Sequence, residues 1–198
     1  MSAALGGAVV PLGARYRLLA PARPYRDAVL RYLAGLDAEP PQDGAAPKLR
    51  ELRQAAGGRV AIAFEDGGLL QWLDAWQNAI LPADFHALEK LRPARRRARG
   101  IFAALGHDPD VLAGRPVGGL SLLESRLVGF VKAMLMEADL LVLDGLHERL
   151  GPEEQQQVSG WIRLFRDRYP LRRLLYVGLH EEPAVAEFDD LRDDLRRA

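Results

Sequence analysis

Residues 120–144 read LSLLESRLVGFVKAMLMEADLLVLD, and two patterns meet there. Leu123, Leu127, Phe130, Val131, Met134 and Leu135 recur at helical spacing and predict a helix over 121–137, apolar enough around its circumference to be largely buried. It runs into Asp139–Asp144, DLLVLD, a continuous apolar stretch closing on a carboxylate. Such a run suits a strand covered on both faces.

The same alternation extends outward in both directions. Upstream, Tyr16–Ala20 predicts a short strand halted by Pro21, and Tyr25–Leu36 predicts a helix with Val29, Leu30, Leu33 and Leu36 on one face, ending at Gly35. Asp37–Ala46, with adjacent prolines and a glycine, reads as a linker. Val60–Phe64 is a second buried strand, punctuated by Asp66, Gly67 and Gly68; Leu69–Leu81 then carries Trp72 and Trp76 one helical turn apart. Residues 84–112 read as helices, and their basic cluster, Arg92–Gly100, as a solvated helix face. Downstream, Gln155–Asp167 predicts an amphipathic helix, Leu174–Leu179 a strand ending at His180, and the tail DDLRDDLRRA an exposed helical end.

Strands alternating with helices imply an α/β fold with a mostly parallel sheet covered on both faces. Ligands in such sheets sit beyond the carboxyl ends of the strands, here Ala20–Arg26, Phe64–Asp66, Asp144–Gly145 and His180–Glu181.

Composition narrows the function classes. The chain has 198 residues, which suits one domain, and its 27 Lys and Arg balance 27 Asp and Glu for a net charge of zero. That balance disfavours bulk binding to nucleic acid. Cysteine is absent, which removes disulfides, thiolate catalysis and cysteine-bound zinc. The four histidines, His86, His107, His147 and His180, are scattered, and no metal site is expected. No apolar run approaches the roughly 20 residues of a membrane span, and Met1–Val10 lacks the basic start of a signal peptide, so a cytoplasmic location without direct membrane insertion is expected. Gly-x-Ser-x-Gly, His-Glu-x-x-His and Gly-x-Gly-x-x-Gly patterns are all missing.

The order of segments resembles the ATP-binding-cassette ATPases, especially the ATPase subunits of MCE-type phospholipid transporters. Residues 18–36, LLAPARPYRDAVLRYLAGL, look like a strand, phosphate loop and helix ending in Leu-Ala-Gly-Leu. Residues 63–82, AFEDGGLLQWLDAWQNAILP, resemble the glutamine-loop region, with Glu65 in place of glutamine. Leu120–Glu124 resembles the signature Leu-Ser-Gly-Gly-Gln with Ser121 kept and both glycines replaced. Leu140–Asp144 resembles the second nucleotide-binding motif, followed by Gly145 where the family has its catalytic glutamate; Leu150–Pro152 resembles the loop beyond it, and His180–Glu181 falls at the switch histidine.

The resemblance implies a P-loop-NTPase-like fold: an α/β core over 1–66 and 138–198, a helical subdomain over 67–137, and a reduced N-terminal antiparallel part. A phosphate loop needs Gly, Gly, Lys and Ser or Thr; the aligned residues are Ala20, Tyr25, Arg26 and Asp27, so only the positive charge survives. Arg26 is expected at the surface, Asp144 as a loop cap, and Glu148 within reach only if the loop differs from the family's. No catalytic residue is assigned. Arg26, Asp27, Glu65, Ser121, Asp144 and His180 are expected as remnants of a nucleotide site, and no cofactor beyond weak MgATP.

The function implied is a non-hydrolysing subunit of a transporter, structural or regulatory, peripheral at the inner membrane face. Its expected partners are a membrane permease subunit, an intact ATPase or a second copy of itself, with Leu70, Trp72 and Trp76 as contact residues. The rival readings are a small enzyme remodelled around Arg26, Asp144, Glu148 and His180, and a free-standing homodimeric scaffold.

Overall fold

The computed structural model describes residues 10–85 and 91–192. Five parallel strands form one sheet in the order β2 (Val60–Ala63), β3 (Leu140–Asp144), β4 (Arg173–Gly178), β1 (Arg15–Leu19) and β5 (Asp189–Asp190). Among the described residues the one antiparallel pairing is an isolated bridge between Asp74 and Pro116.

Side chains alternate across the strands, so the sheet has two cores. Ala61, Ala63, Leu141, Leu143, Leu174 and Tyr176 face one cluster, built with α3 (Ala75–Phe85), α4 (Leu91–Ala104), α6 (Leu122–Leu135) and α7 (Pro152–Arg168). Leu140, Val142, Leu175 and Val177 face the other, with α1 (Arg23–Leu33) and α2 (Ala46–Ala55). The helical segment expected over 67–137 contributes α3, α4, the short α5 (Pro109–Leu112) and α6, and it shares the first core with the sheet. No helix among the described residues is long and apolar enough to cross a membrane.

α6 packs unusually close to the loop after β2. Gly67 lies at φ +88°, and a Cβ there would stand 2.3 Å from the Ser125 carbonyl oxygen; a Cβ at Gly129 would stand 2.3 Å from the Gly67 carbonyl oxygen. Glycine at both positions lets helix and loop touch backbone to backbone.

Three local expectations are corrected. The linker ends in an unforeseen helix, α2, with Pro47 in its first turn and Leu49 and Leu52 buried one turn apart. The segment with the two tryptophans is not helical from Leu69. Asp74 and Gln77 cap each other's backbone N–H groups at 2.7 and 3.0 Å, starting α3 at Ala75 and leaving Trp72 in the preceding turn. At the other end, Asp189–Asp190 pairs with β1 instead of forming an exposed helix, and Leu191 is buried; residues 193–198 of that predicted helix lie outside the described residues. The apolar Leu191 anchors an edge strand whose aspartates still reach water.

Candidate functional site

The carboxyl ends of the strands converge as expected, but what they enclose is a side chain of the protein itself. Arg26, one turn into α1, is 1% exposed. Its Nη2 donates to Glu65 Oε2 at 2.8 Å and its Nη1 to Glu148 Oε2 at 2.9 Å, while its Nε lies 3.2 Å from Asp144 Oδ1. Glu65 follows β2, Asp144 ends β3 and Glu148 belongs to the loop between β3 and α7, so one guanidinium joins three segments. The expectation of a surface Arg26 is thereby overturned. Arg26 shares a helical face with Val29, Leu30 and Leu33, which carries it inward, and only three nearby carboxylates make burial of the charge tolerable.

A second buried arginine ties the backbone of the same loops. Arg126 of α6 donates from Nε to the Glu65 carbonyl at 2.6 Å and from Nη1 to the carbonyls of Leu146 and Glu148 at 2.8 and 2.7 Å. Glu148 reaches in the opposite direction too: its Oε1 accepts the Leu179 backbone N–H at 2.7 Å, fastening the end of β4. Exposed Arg23 adds a further bond to Glu65 at 2.7 Å.

Burial and charge act against each other here. Burial raises Asp144 to about 6, against the opposing pull of Arg26 and the Glu65 N–H. Burial also works to raise Glu65, but hydrogen bonds from Arg23 and Arg26 win and hold it below the ordinary carboxylate value. Asp144 is not merely a loop cap: it accepts the Glu65 N–H at 3.3 Å and faces Arg26.

The remaining expected residues separate from this cluster. Asp27 is exposed on the outer side of α1, and His180 is exposed beyond β4. Ser121 caps α6: its Oγ accepts the Glu124 N–H at 3.1 Å, and the Glu124 carboxylate accepts the Ser121 N–H at 2.7 Å and binds Arg115. The start of α6 therefore already carries a carboxylate. Glu148 and Arg126, central here, carried no strong local signal in the sequence. Arg26 did carry one, its place in the spacing 26, 29, 30, 33.

Gly145 completes the fit. It sits at φ +53°, and a Cβ there would stand 2.7 Å from Arg26 Nη1 and 3.0 Å from Glu148 Cδ. Among the described residues no group of three or more His, Cys, Asp or Glu could hold a metal ion.

Away from this network, an apolar groove of about 580 Å³ is lined by Leu70, Trp72, Leu73, Leu81, Pro82 and Met136, with Lys132 at its wall. Trp72 is 78% exposed. Trp76 does not join it; its ring stacks on Phe102 at 6.3 Å beneath the Arg99 guanidinium. A larger groove, about 810 Å³, runs between α7 and residues 182–187, where Arg166 pairs with Glu187. The basic helix α4 spends part of its charge on ion pairs, Arg97 with Glu137 and Arg99 with Asp110 at 2.8 Å each.

No family model matches the chain. It is 32% identical over 124 residues to a ribose import ATP-binding protein of Burkholderia ambifaria, covering 61% of this chain and 24% of that protein. A ribose import ATP-binding protein of Hahella chejuensis is 30% identical over 117 residues, covering 59% and 23%. The chain thus spans about a quarter of the length of the curated relatives it matches. Among solved structures, an ATP-binding cassette dimer bound to ADP and phosphate in a post-hydrolysis state superposes with TM-score 0.66 at 15% identity, covering 86% of this chain and 78% of that one. The cbiO1 protein of Clostridium perfringens, part of an ABC transporter complex, superposes with TM-score 0.63 at 15% identity, covering 85% and 68%. The chain carries the fold of the ATP-binding-cassette ATPases.

Proposed function

We propose that this chain is a non-hydrolysing ATP-binding-cassette-like subunit with a structural or regulatory role in a membrane transporter. The carrying observation is Arg26, which lies buried at the carboxyl ends of the strands and pairs with Glu65, Asp144 and Glu148. A triphosphate would meet an arginine already paired three times, and Gly145 offers no carboxylate to align an attacking water. The rival enzyme remodelled around Arg26, Asp144, Glu148 and His180 is disfavoured for the same reason: two of its carboxylates are engaged by Arg26, and its histidine stands apart.

Similarity to ribose import ATP-binding proteins favours a solute importer over the phospholipid transporter of MCE type. The partner is a permease subunit docked in the groove at Trp72, since an exposed tryptophan beside Leu70 and Met136 offers a large apolar anchor with few rotatable bonds. This places the chain peripherally at the inner membrane face. An intact ATPase or a second copy is the other partner class.

Calorimetric titration with MgATP, together with phosphate release at high protein concentration, tests the reading. No saturable heat and no turnover are expected. Saturable MgATP binding with hydrolysis that Asp144→Ala abolishes would replace it with the enzyme.

A further inference from the structure

We propose that Arg26 is a tethered ligand: its guanidinium takes the place of an exchangeable one and locks the ends of β2, β3 and β4 against α1 in a single closed arrangement. This rests on the reading of a site without bound nucleotide, and adds what the substitution does to the molecule.

Each locked segment reaches the same cation by a traceable path. Glu65 brings the end of β2 and Asp144 the end of β3. Glu148 brings the end of β4, because one of its oxygens accepts from Arg26 and the other from the Leu179 N–H. A free ligand shifts such loops only while it is bound, in proportion to its differential affinity for the closed form. A ligand attached to α1 cannot dissociate, so closure becomes permanent and independent of solute. Without the cation, Asp144 and Glu148 would lose their ion-pair partner in a buried place, and Glu65 would keep only the exposed Arg23 and the more distant Arg149. The space is also shaped for a planar fork of donors and not for a compact ion. Among the described residues, no group of three or more His, Cys, Asp or Glu could hold a metal ion here or elsewhere. Gly145 is the matching vacancy, since a side chain there would collide with Arg26 Nη1.

Chemical rescue tests the lock without any nucleotide. Arg26→Ala should lower the melting temperature by roughly 10 °C and speed hydrogen exchange at the Leu179 amide. Low-millimolar guanidinium chloride should restore part of both effects in the variant, sodium chloride at equal ionic strength should not, and the wild-type chain should respond to neither. A variant as stable as wild type, or one that guanidinium fails to recover, overturns the lock. Should Arg26→Ala not fold, Arg26→Lys keeps the charge but cannot span three carboxylates. It should still speed exchange at Leu179, and unchanged exchange would overturn the proposal. MgATP binding to the wild-type chain would instead overturn the reading of an empty nucleotide site, so the two failures are told apart.

Discussion

Gly145 and Arg26 exclude each other's larger alternatives: a Cβ on the glycine would stand 2.7 Å from the arginine Nη1, and the glycine holds φ at +53°. Gly145→Ala therefore meets a steric conflict and left-handed backbone strain together, and should lose about 2–4 kcal/mol of stability in urea denaturation. The shortest of those contacts disappears once the guanidinium is gone, while Glu148 Cδ at 3.0 Å and the backbone strain remain. In an Arg26→Ala background the same substitution should lose clearly less, a non-additivity expected of residues in contact. Equal losses in both backgrounds would show that the two positions are uncoupled.

The fold was legible because its strands are short apolar runs bounded by proline, glycine or a carboxylate, and its helices have strong periodicity; Leu140–Asp144 needed no context. The closed site was not, because a buried charge becomes tolerable only through partners distant in the chain. Arg26 pairs across 122 positions with Glu148 and 39 with Glu65. Its place on the apolar face of α1 was visible, but a lone arginine in that pattern ordinarily reaches out to water. Helix α2 was hidden by the prolines before it, which dominate the local reading although Leu49 and Leu52 supply a buried face.

Asp144 gives a pH signature. Burial first, opposed by Arg26, lifts it from 3.8 to about 6, so between those values the folded chain holds a proton that the unfolded chain releases. Its contribution to stability is full below the lower value and lost as pH rises through the higher one. Asp144→Asn has no such slope. The stability difference between wild type and Asp144→Asn should accordingly move in favour of the variant as pH rises from about 4 to about 7. A difference that moves the other way would mean that Arg26, not burial, governs this carboxyl.

His147 predicts the opposite slope. Burial, reinforced by the Arg126 charge, lowers it from 6.5 to about 4. Its Nε2 lies 3.2 Å from Ser159 Oγ, while Nδ1 is buried without a hydrogen-bond partner. The folded chain keeps the ring neutral where the unfolded chain takes a proton, so this contribution is present above 6.5 and is lost as pH falls toward 4. His147→Gln removes the titration. Denaturant melts at successive pH values should show wild type losing ground to His147→Gln on acidification, and parallel curves would refute the assignment.

The two tryptophans, equivalent in the sequence, should behave as opposites. Trp76 is half-buried, packed on Phe102 and covered by Arg99, so Trp76→Ala removes core contacts and should lose about 2–3 kcal/mol of folding stability. Trp72 is 78% exposed and sits ahead of the Asp74 cap, so Trp72→Ala should change stability by no more than about 0.5 kcal/mol. Its effect should fall on association, because a large apolar side chain left in water contributes free energy only when a partner covers it. Copurification with the cognate permease from gently solubilised membranes should fall tenfold or more for Trp72→Ala and remain at the wild-type level for Gln54→Ala, an exposed residue of α2, the helix that packs on the opposite core. If Trp72→Ala copurifies as well as wild type, the groove beside Met136 is not where the permease docks.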